Sequence, residues 1–334
     1  MQDRRAGRAA PSIGRMDTAC YTPRRLPAAE TVALRGLRCH VRRWGDSAPA
    51  GTRPLVLLHG WMDCGASFQF LVDALAEADG IERQVFAPDW RGFGLTEAPP
   101  TDTYWFPDYL ADLDALLDAL APDGAVDLLG HSMGGNVAMS YAALRPQRVR
   151  RLVNLEGYGL PATTPEDAPA RLVQWLDELK TPPLLRDYAD SAEVAARLRK
   201  NNPLLPADKA AWLATQWSAP TPEGRRRLLA DSAHKRVNPV LYRREEAVAT
   251  WRRITSPLLF VEGDRGEFET WWGHRYPRAD FESRLAVVPR LERERLAPCG
   301  HMVHHDQPEA LARRLVSFLG GSPADPDACL CTSA

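Results

Sequence analysis

The 334-residue sequence lacks any apolar run of the roughly 18 residues that a membrane-spanning helix needs. Its N-terminal MQDRRAGRAAPSIGRMDTACYTPRRLP also lacks the apolar segment of a secretory signal. The expected compartment is therefore the cytoplasm. An organelle transit peptide is the alternative reading of this arginine-rich stretch. The reading adopted is a disordered leader over residues 1–28, with Met16 as a candidate start. An excess of charge is missing too: the net charge is −1, so no overall field draws the chain to nucleic acid or an anionic surface. The six cysteines (Cys20, Cys39, Cys64, Cys299, Cys329 and Cys331) have neither the C-x-x-C spacing of a zinc site nor the density of a disulfide-stapled domain, and reduced thiols fit them best. A phosphate loop and a dinucleotide fingerprint are absent, since RGFG in DWRGFGLTEAP lacks the required spacing. The terminal CTSA is no prenylation box, because Thr332 and Ser333 stand where aliphatic residues belong. Lysine is scarce, at Lys180, Lys200, Lys209 and Lys235 only, and the many arginines, including RRR at 225–227, read as genome composition and solvated faces. No cofactor or metal is expected, and the expected partner is a small molecule.

What is present is a composition 45% hydrophobic and 25% charged, suited to a globular protein with a substantial core. Short β-like runs recur at PLVLLHG (54–60), RQVFAPD (83–89), AVDLLGHS (125–132), VRRLVNLEG (149–157) and SPLLFVEGD (256–264). Between them ASFQFLVDALAEA, WFPDYLADLDALLDAL and MGGNVAMSYAALRP place apolar residues at i, i+3 and i+4, the spacing of a helix lying on a sheet. This alternation predicts an α/β fold with a mostly parallel, eight-stranded sheet flanked by helices. TVALRGLRCHVRRWG reads as an antiparallel start turning at Gly36. The β signals stop from Pro161 to Thr255, so residues 161–255 are expected to form a helical cap on a core made of 29–160 and 256–320. PEALARRLVSFLGG closes the core, and 321–334 reads as a disordered tail.

The chemistry starts at LLGHSMGG, where G-H-S-M-G stands between an apolar strand and a helix, the context in which this motif presents a nucleophile. Ser132 would occupy the sharp turn, and Gly130, Gly134 and Gly135 would permit it. A serine hydroxyl is a poor nucleophile at neutral pH, so a base and an orienting acid must come from elsewhere in the chain. LAPCGHMVHHDQPEA supplies three histidines, of which His301, in the turn after a short strand, is the best placed. His304 and His305 lie further toward the last helix. His59 reads as holding its loop by hydrogen bonding. His234 and His274 have no supporting context. Developing charge on a tetrahedral intermediate needs backbone donors already in position, and Trp61 in HGWMD and Met133 after the nucleophile are the expected oxyanion donors.

Four of these motifs, in order, resemble the α/β-hydrolase fold family over about residues 30–320. LLHGWMDCGASF is similar to its oxyanion loop, DWRGFGLTEAP to the loop after its fourth strand, GHSMGG to its nucleophile elbow, and CGHMVHHDQPEALARRLVSFL to its histidine loop and final helix. HGW followed by Asp63 and then ASF, with HKRVNPVLYRREEAVATWRRI, resembles a serine-hydrolase-like subgroup. The resemblance implies an acid three positions after the glycine ending SPLLFVEG, but that position is Gly266; Asp264 comes early and Glu267 late. Relatives like haloalkane dehalogenases carry the acid after the preceding strand, where VNLEGYG has Glu156. Glu156 and Asp264 therefore both stand as candidates.

With serine rather than aspartate at the elbow, the expected reaction is acyl transfer to water: carboxylic-ester hydrolysis of a small, largely apolar substrate through an acyl-enzyme. Carbon–carbon bond hydrolysis of a ring-cleavage product is the second reading, and a ligand-binding protein with an idle site is the third. Trp175, Trp212, Trp217, Tyr188 and Tyr242 in the cap suggest an apolar or aromatic acyl pocket, but at helical spacing such residues are more often core, and they are left unassigned.

Overall fold

The structure, a computed structural model, describes residues 20–45, 52–79, 83–122 and 124–320. The chain opens with a hairpin, β1 (Ala28–Leu34) and β2 (Leu37–Trp44), joined by Arg35 and Gly36. Both turn residues have positive φ, 46° and 78°, the two-residue geometry that matches the twist of paired strands and that Gly36 adopts without steric cost. Then follow β3 (Leu55–Leu58), α1 (Gln69–Asp79), β4 (Val85–Pro88), α2 (Phe106–Leu120), β5 (Val126–His131), α3 (Met133–Leu144) and β6 (Val149–Leu155). After β6 come α4 (Asp167–Lys180), α5 (Ser191–Asn201), α6 (Ala207–Trp217), a two-stranded ribbon of β7 (Ser218–Pro220) and β8 (Arg226–Leu228), and α7 (Arg244–Trp251). The chain returns to the sheet through β9 (Leu258–Gly263), α8 (Phe268–Trp272), α9 (Arg278–Leu285) and β10 (Leu291–Leu296), and finishes with α10 (Val303–Asp306) and α11 (Pro308–Gly320).

Eight strands form one sheet in the order β1-β2-β4-β3-β5-β6-β9-β10. Only the pairings of β2 with β1 and β4 are antiparallel. The expected mostly parallel, helix-covered sheet is thus the observed one. Its central strands are apolar on both faces and divide their side chains by the two-residue period of a strand. Val56, Leu58, Leu128, Leu258 and Phe260 join a core with Leu113 and Leu116 of α2 and Val137 and Met139 of α3. Leu55, Leu57, Leu129, Leu259 and Val261 join the opposite core with Leu71 and Val72 of α1 and Leu311 and Leu315 of α11. Both cores are closed to solvent, so truncating one of these leucines to alanine costs about 2–5 kcal/mol.

Between β6 and β9 a third, smaller apolar cluster forms. Val194 and Leu198 of α5 and Ala210 and Leu213 of α6 enclose Tyr188 and Phe70 of α1, which fastens these helices to the parent sheet. Trp251 of α7 instead enters the core under α3. The ribbon β7–β8 is too short for hydrophobic periodicity to reveal. Residues 20–27, expected to lie in a leader outside the fold, run along α1. Tyr21 meets the rings of Phe70 and Trp212, and the backbone N–H groups of Arg24 and Arg25 donate to Asp73 at 3.0 and 2.9 Å. An aromatic side chain and a buried acceptor make this segment part of the structure, a contact no local pattern announces. The rest of the expected leader and the tail after Gly320 lie outside the described residues.

Candidate active site

Ser132 sits between the last residue of β5 and the first of α3, with φ 52° and ψ −113°. Such angles are strained for a residue bearing a Cβ and persist only where the surroundings over-determine them. Here the Ser132 N–H donates to the Leu155 carbonyl of β6 (2.8 Å), and its own carbonyl accepts from Asn136 (3.1 Å). The flanking glycines allow the close approach. A Cβ on Gly130 would meet the Gly134 carbonyl oxygen at 2.2 Å, and one on Gly134 would meet that of Leu58 at 2.2 Å. Four described non-glycine residues have positive φ: Arg35, in the first hairpin, and Met62, Ser132 and Glu156, which all belong to or adjoin the candidate site. Strain concentrated in this way is characteristic of functional turns.

His301 follows the turn after β10. Its Nδ1 lies 3.1 Å from Oε2 of Glu156, whose side chain is fully enclosed. Glu156 caps the end of β6, where its N–H donates to the Val261 carbonyl at 3.0 Å, and its Oε1 accepts from the Gly263 N–H at 2.7 Å. Of the two acids considered, Asp264 does not take this place. It is exposed, and its Oδ1 accepts from the Cys299 N–H at 2.7 Å, so it fastens the loop that carries His301 without reaching the imidazole. Gly266 lies beside this carboxylate. A Cβ there would stand 3.4 Å from Oε1 of Glu156, in ordinary contact, so at the more usual acid position the space beyond a Cβ is left to the carboxylate arriving from β6.

Burial pushes the Glu156 carboxyl up to about 8, against the Gly263 N–H and the Tyr158 hydroxyl, which favour the anion. Burial likewise pushes the His301 imidazole down to about 4. Both shifts have one origin, the cost of an isolated charge away from water. A carboxylate facing an imidazolium relieves that cost for both.

The loop after β3 runs against the serine: a Cβ on Gly60 would lie 3.3 Å from Cβ of Ser132. Trp61 follows directly, half exposed, its indole N–H donating to the His234 carbonyl at 3.2 Å. Met133 opens α3, where helix geometry supplies no partner for the first N–H groups. His59 holds this loop, as its position suggested. Its Nε2 accepts from the Trp90 N–H (2.9 Å), and Nδ1 therefore donates to the Gly60 carbonyl (2.8 Å). Asp89 ties the same loops together. Burial opposes its charge, but a hydrogen bond from His40 and the Arg42 guanidinium hold it at about 2, and it accepts from the Gly65 and Leu95 N–H groups.

His234 is stacked between Phe93 and Tyr104, with ring centroids 3.7 and 3.6 Å away, and His274 is exposed. Three of the five aromatic residues named for an acyl pocket make contacts within the fold. Trp212 meets Tyr21 and Phe70, the Trp217 indole donates to Ser67, and that of Trp175 to Thr103. Trp271, which no sequence signal marked, presents an edge to the His301 ring at 4.5 Å between centroids. Among the described residues the cysteines, Cys20, Cys39, Cys64 and Cys299, are unpaired, and no helix is long and apolar enough to cross a membrane.

A family model described as the alpha/beta hydrolase fold matches residues 53–308. A serine hydrolase-like protein of Danio rerio is 25% identical over 295 residues, which cover 85% of each chain. A 2-hydroxy-6-oxo-2,4-heptadienoate hydrolase of Pseudomonas putida is 37% identical over 110 residues, 32% of this chain and 38% of the relative. Among solved structures, a thioesterase domain from the curacin biosynthetic pathway superposes with a TM-score of 0.72 at 25% identity, covering 88% of this chain and 99% of that one.

Proposed function

The chain belongs to the α/β-hydrolase fold family, and on that premise we propose that it is a serine hydrolase cleaving a carboxylic ester, or a similar acyl bond, of a small and largely apolar substrate. The observation that carries the reading is the Glu156 carboxylate on His301 Nδ1. Ser132 is held in a strained turn at the head of a helix, and the residue before it, His131, reaches the His301 carbonyl with Nε2 at 3.0 Å. With Nδ1–H directed at Glu156, Nε2 of His301 is the free base. It takes the proton of Ser132 as Oγ attacks the carbonyl, and the resulting imidazolium is stabilised by the enclosed carboxylate. The N–H groups of Trp61 and Met133 receive the oxyanion. His301 then returns the proton to the leaving alcohol, and water, activated by the same imidazole, releases the acid from the acyl-enzyme. Exposed Trp61 and Trp271 beside the reacting groups favour an apolar substrate, and the α4–α7 segment acts as the cap that selects it.

The Pseudomonas putida relative supports a second reading, hydrolysis of a carbon–carbon bond in a dienone-like ring-cleavage product by the same groups. Intact-mass analysis after exposure to a fluorophosphonate, with Ser132→Ala alongside, tests the shared premise. One adduct on the wild type and none on the variant is expected. Absence of an adduct on folded wild-type protein would overturn the hydrolase reading in favour of a ligand-binding role. Turnover of aryl and alkyl esters against a dienone substrate then separates the two reactions.

A further inference from the structure

Behind the strained serine lies a second group of polar side chains that the proposed reaction does not use. Asp63, His131 and His304 come from three different segments: the loop after β3, the end of β5 and the start of α10. One potential ligand atom from each lies within 4.8 Å of the others. All three residues are at least nine-tenths buried, with relative exposures of 5%, 2% and 0%.

Their hydrogen bonds are unequally distributed. Oδ1 of Asp63 accepts from the Cys64 N–H at 2.7 Å and from the Ser67 hydroxyl, while Oδ2 has no partner among the described residues. Nε2 of His131 lies 3.0 Å from the His301 carbonyl oxygen, which can only accept, so Nε2 carries the proton and Nδ1 presents a bare lone pair; that Nδ1 has no partner among the described residues. Neither nitrogen of His304 has one. Buried polar atoms left in this state are costly, and a buried carboxylate oxygen is costlier still. The loop also keeps space clear here, since a Cβ on Gly60 would stand 2.9 Å from Nδ1 of His131.

We propose that Asp63, His131 and His304 form a binding site for a divalent transition cation of the zinc class. Two imidazoles and one carboxylate oxygen are an established zinc donor set. Two of the three are already oriented as ligating imidazoles and carboxylates are: His131 donates its other ring N–H to a backbone carbonyl, and the remaining oxygen of Asp63 is held by two donors. A tetrahedral ion with bonds of about 2.0–2.1 Å needs its ligands about 3.3 Å apart, so the three atoms must draw together from the spacing seen here as the ion enters. The cation neutralises Asp63 without any proton and leaves a fourth position for a water or a further donor. Because its ligands lie on the loops that carry Trp61, Ser132 and His301, it clamps the three segments on which the candidate active site depends. The ion takes no part in the acyl-transfer steps described above.

The test uses the full chain, produced in zinc-supplemented medium, desalted, and measured for metal per chain by elemental analysis and native mass spectrometry. About one zinc per chain is expected, falling at least tenfold in Asp63→Asn and in His304→Phe, whose ring keeps the contact that His304 makes with Phe68. Removal of zinc from the wild type by a chelator lowers the melting temperature by about 5 °C, and re-addition restores it. Folded wild type without zinc, or variants that retain wild-type stoichiometry, would overturn the site. Should neither variant fold, zinc-edge X-ray absorption of the wild type decides: two imidazoles with an oxygen ligand support the site, and thiolate or oxygen-only ligation overturns it.

Discussion

The ends of β6 and β9 each carry a carboxylate, one strand apart in the sheet, and the two have opposite fates. Glu156 turns inward with a left-handed backbone, is enclosed, and meets His301. Asp264 turns outward and spends its carboxylate on the Cys299 N–H. Neighbouring acids of similar intrinsic chemistry thus differ because of backbone direction and of the space left by Gly266. A carboxylate becomes an orienting partner where the fold encloses it beside an imidazole, and a loop fastener where the fold leaves it in water.

The largest expected effect examines the premise of this comparison, that a reaction passes through Ser132 and His301. Ser132→Ala and His301→Ala should each lower kcat by about three orders of magnitude or more in a steady-state ester assay. A loss below tenfold in either would remove the frame in which the two acids are compared. Next comes the comparison itself: Glu156→Gln should lower kcat at least about a hundredfold with the fold retained by circular dichroism, and Asp264→Asn less than tenfold. Equal, mild losses would mean that neither acid orients His301. A smaller effect sharpens the point about space. In Glu156→Gly/Gly266→Asp the acid is moved to the neighbouring strand end, and about tenfold of the kcat lost in Glu156→Gly alone should return; no recovery would show that room at Gly266 is not what governs the choice.

The smallest effect concerns two histidines that, unlike His301, have no carboxylate hydrogen bond. Burial lowers His59 to about 4 and His234 to about 3. Both are neutral in the folded chain, while the unfolded chain takes up protons near pH 6.5. Their contribution to stability is therefore complete above pH 6.5 and is lost as the pH falls toward 4. For each group the slope approaches about 1.4 kcal/mol per pH unit. Urea midpoints between pH 7 and 5 measure it, and the decline should shrink in His234→Phe. An unchanged decline would place the proton uptake elsewhere.

Much of this molecule was legible locally. The period-two runs that became β3, β5, β6 and β9, the helical stripes of α1, α2 and α3, and the glycines around Ser132 are patterns within a dozen residues, and the backbone obeys them because each buries an apolar face or avoids a collision. His301 was legible for the same reason, as a histidine in the turn before the last helix. The partner of His301 was not, because Glu156 and Asp264 both follow strands and differ only in where the sheet and Gly266 let them go. Residues 20–27 escaped notice because their order depends on Asp73, Phe70 and Trp212, far along the chain. The amino-acid sequence by itself determined the sheet, the elbow and the histidine loop, since each is written in neighbouring residues. Tertiary structure alone decided which acid meets His301 and that Asp63, His131 and His304 converge, because burial and juxtaposition are properties of strands brought together from distant parts of the chain.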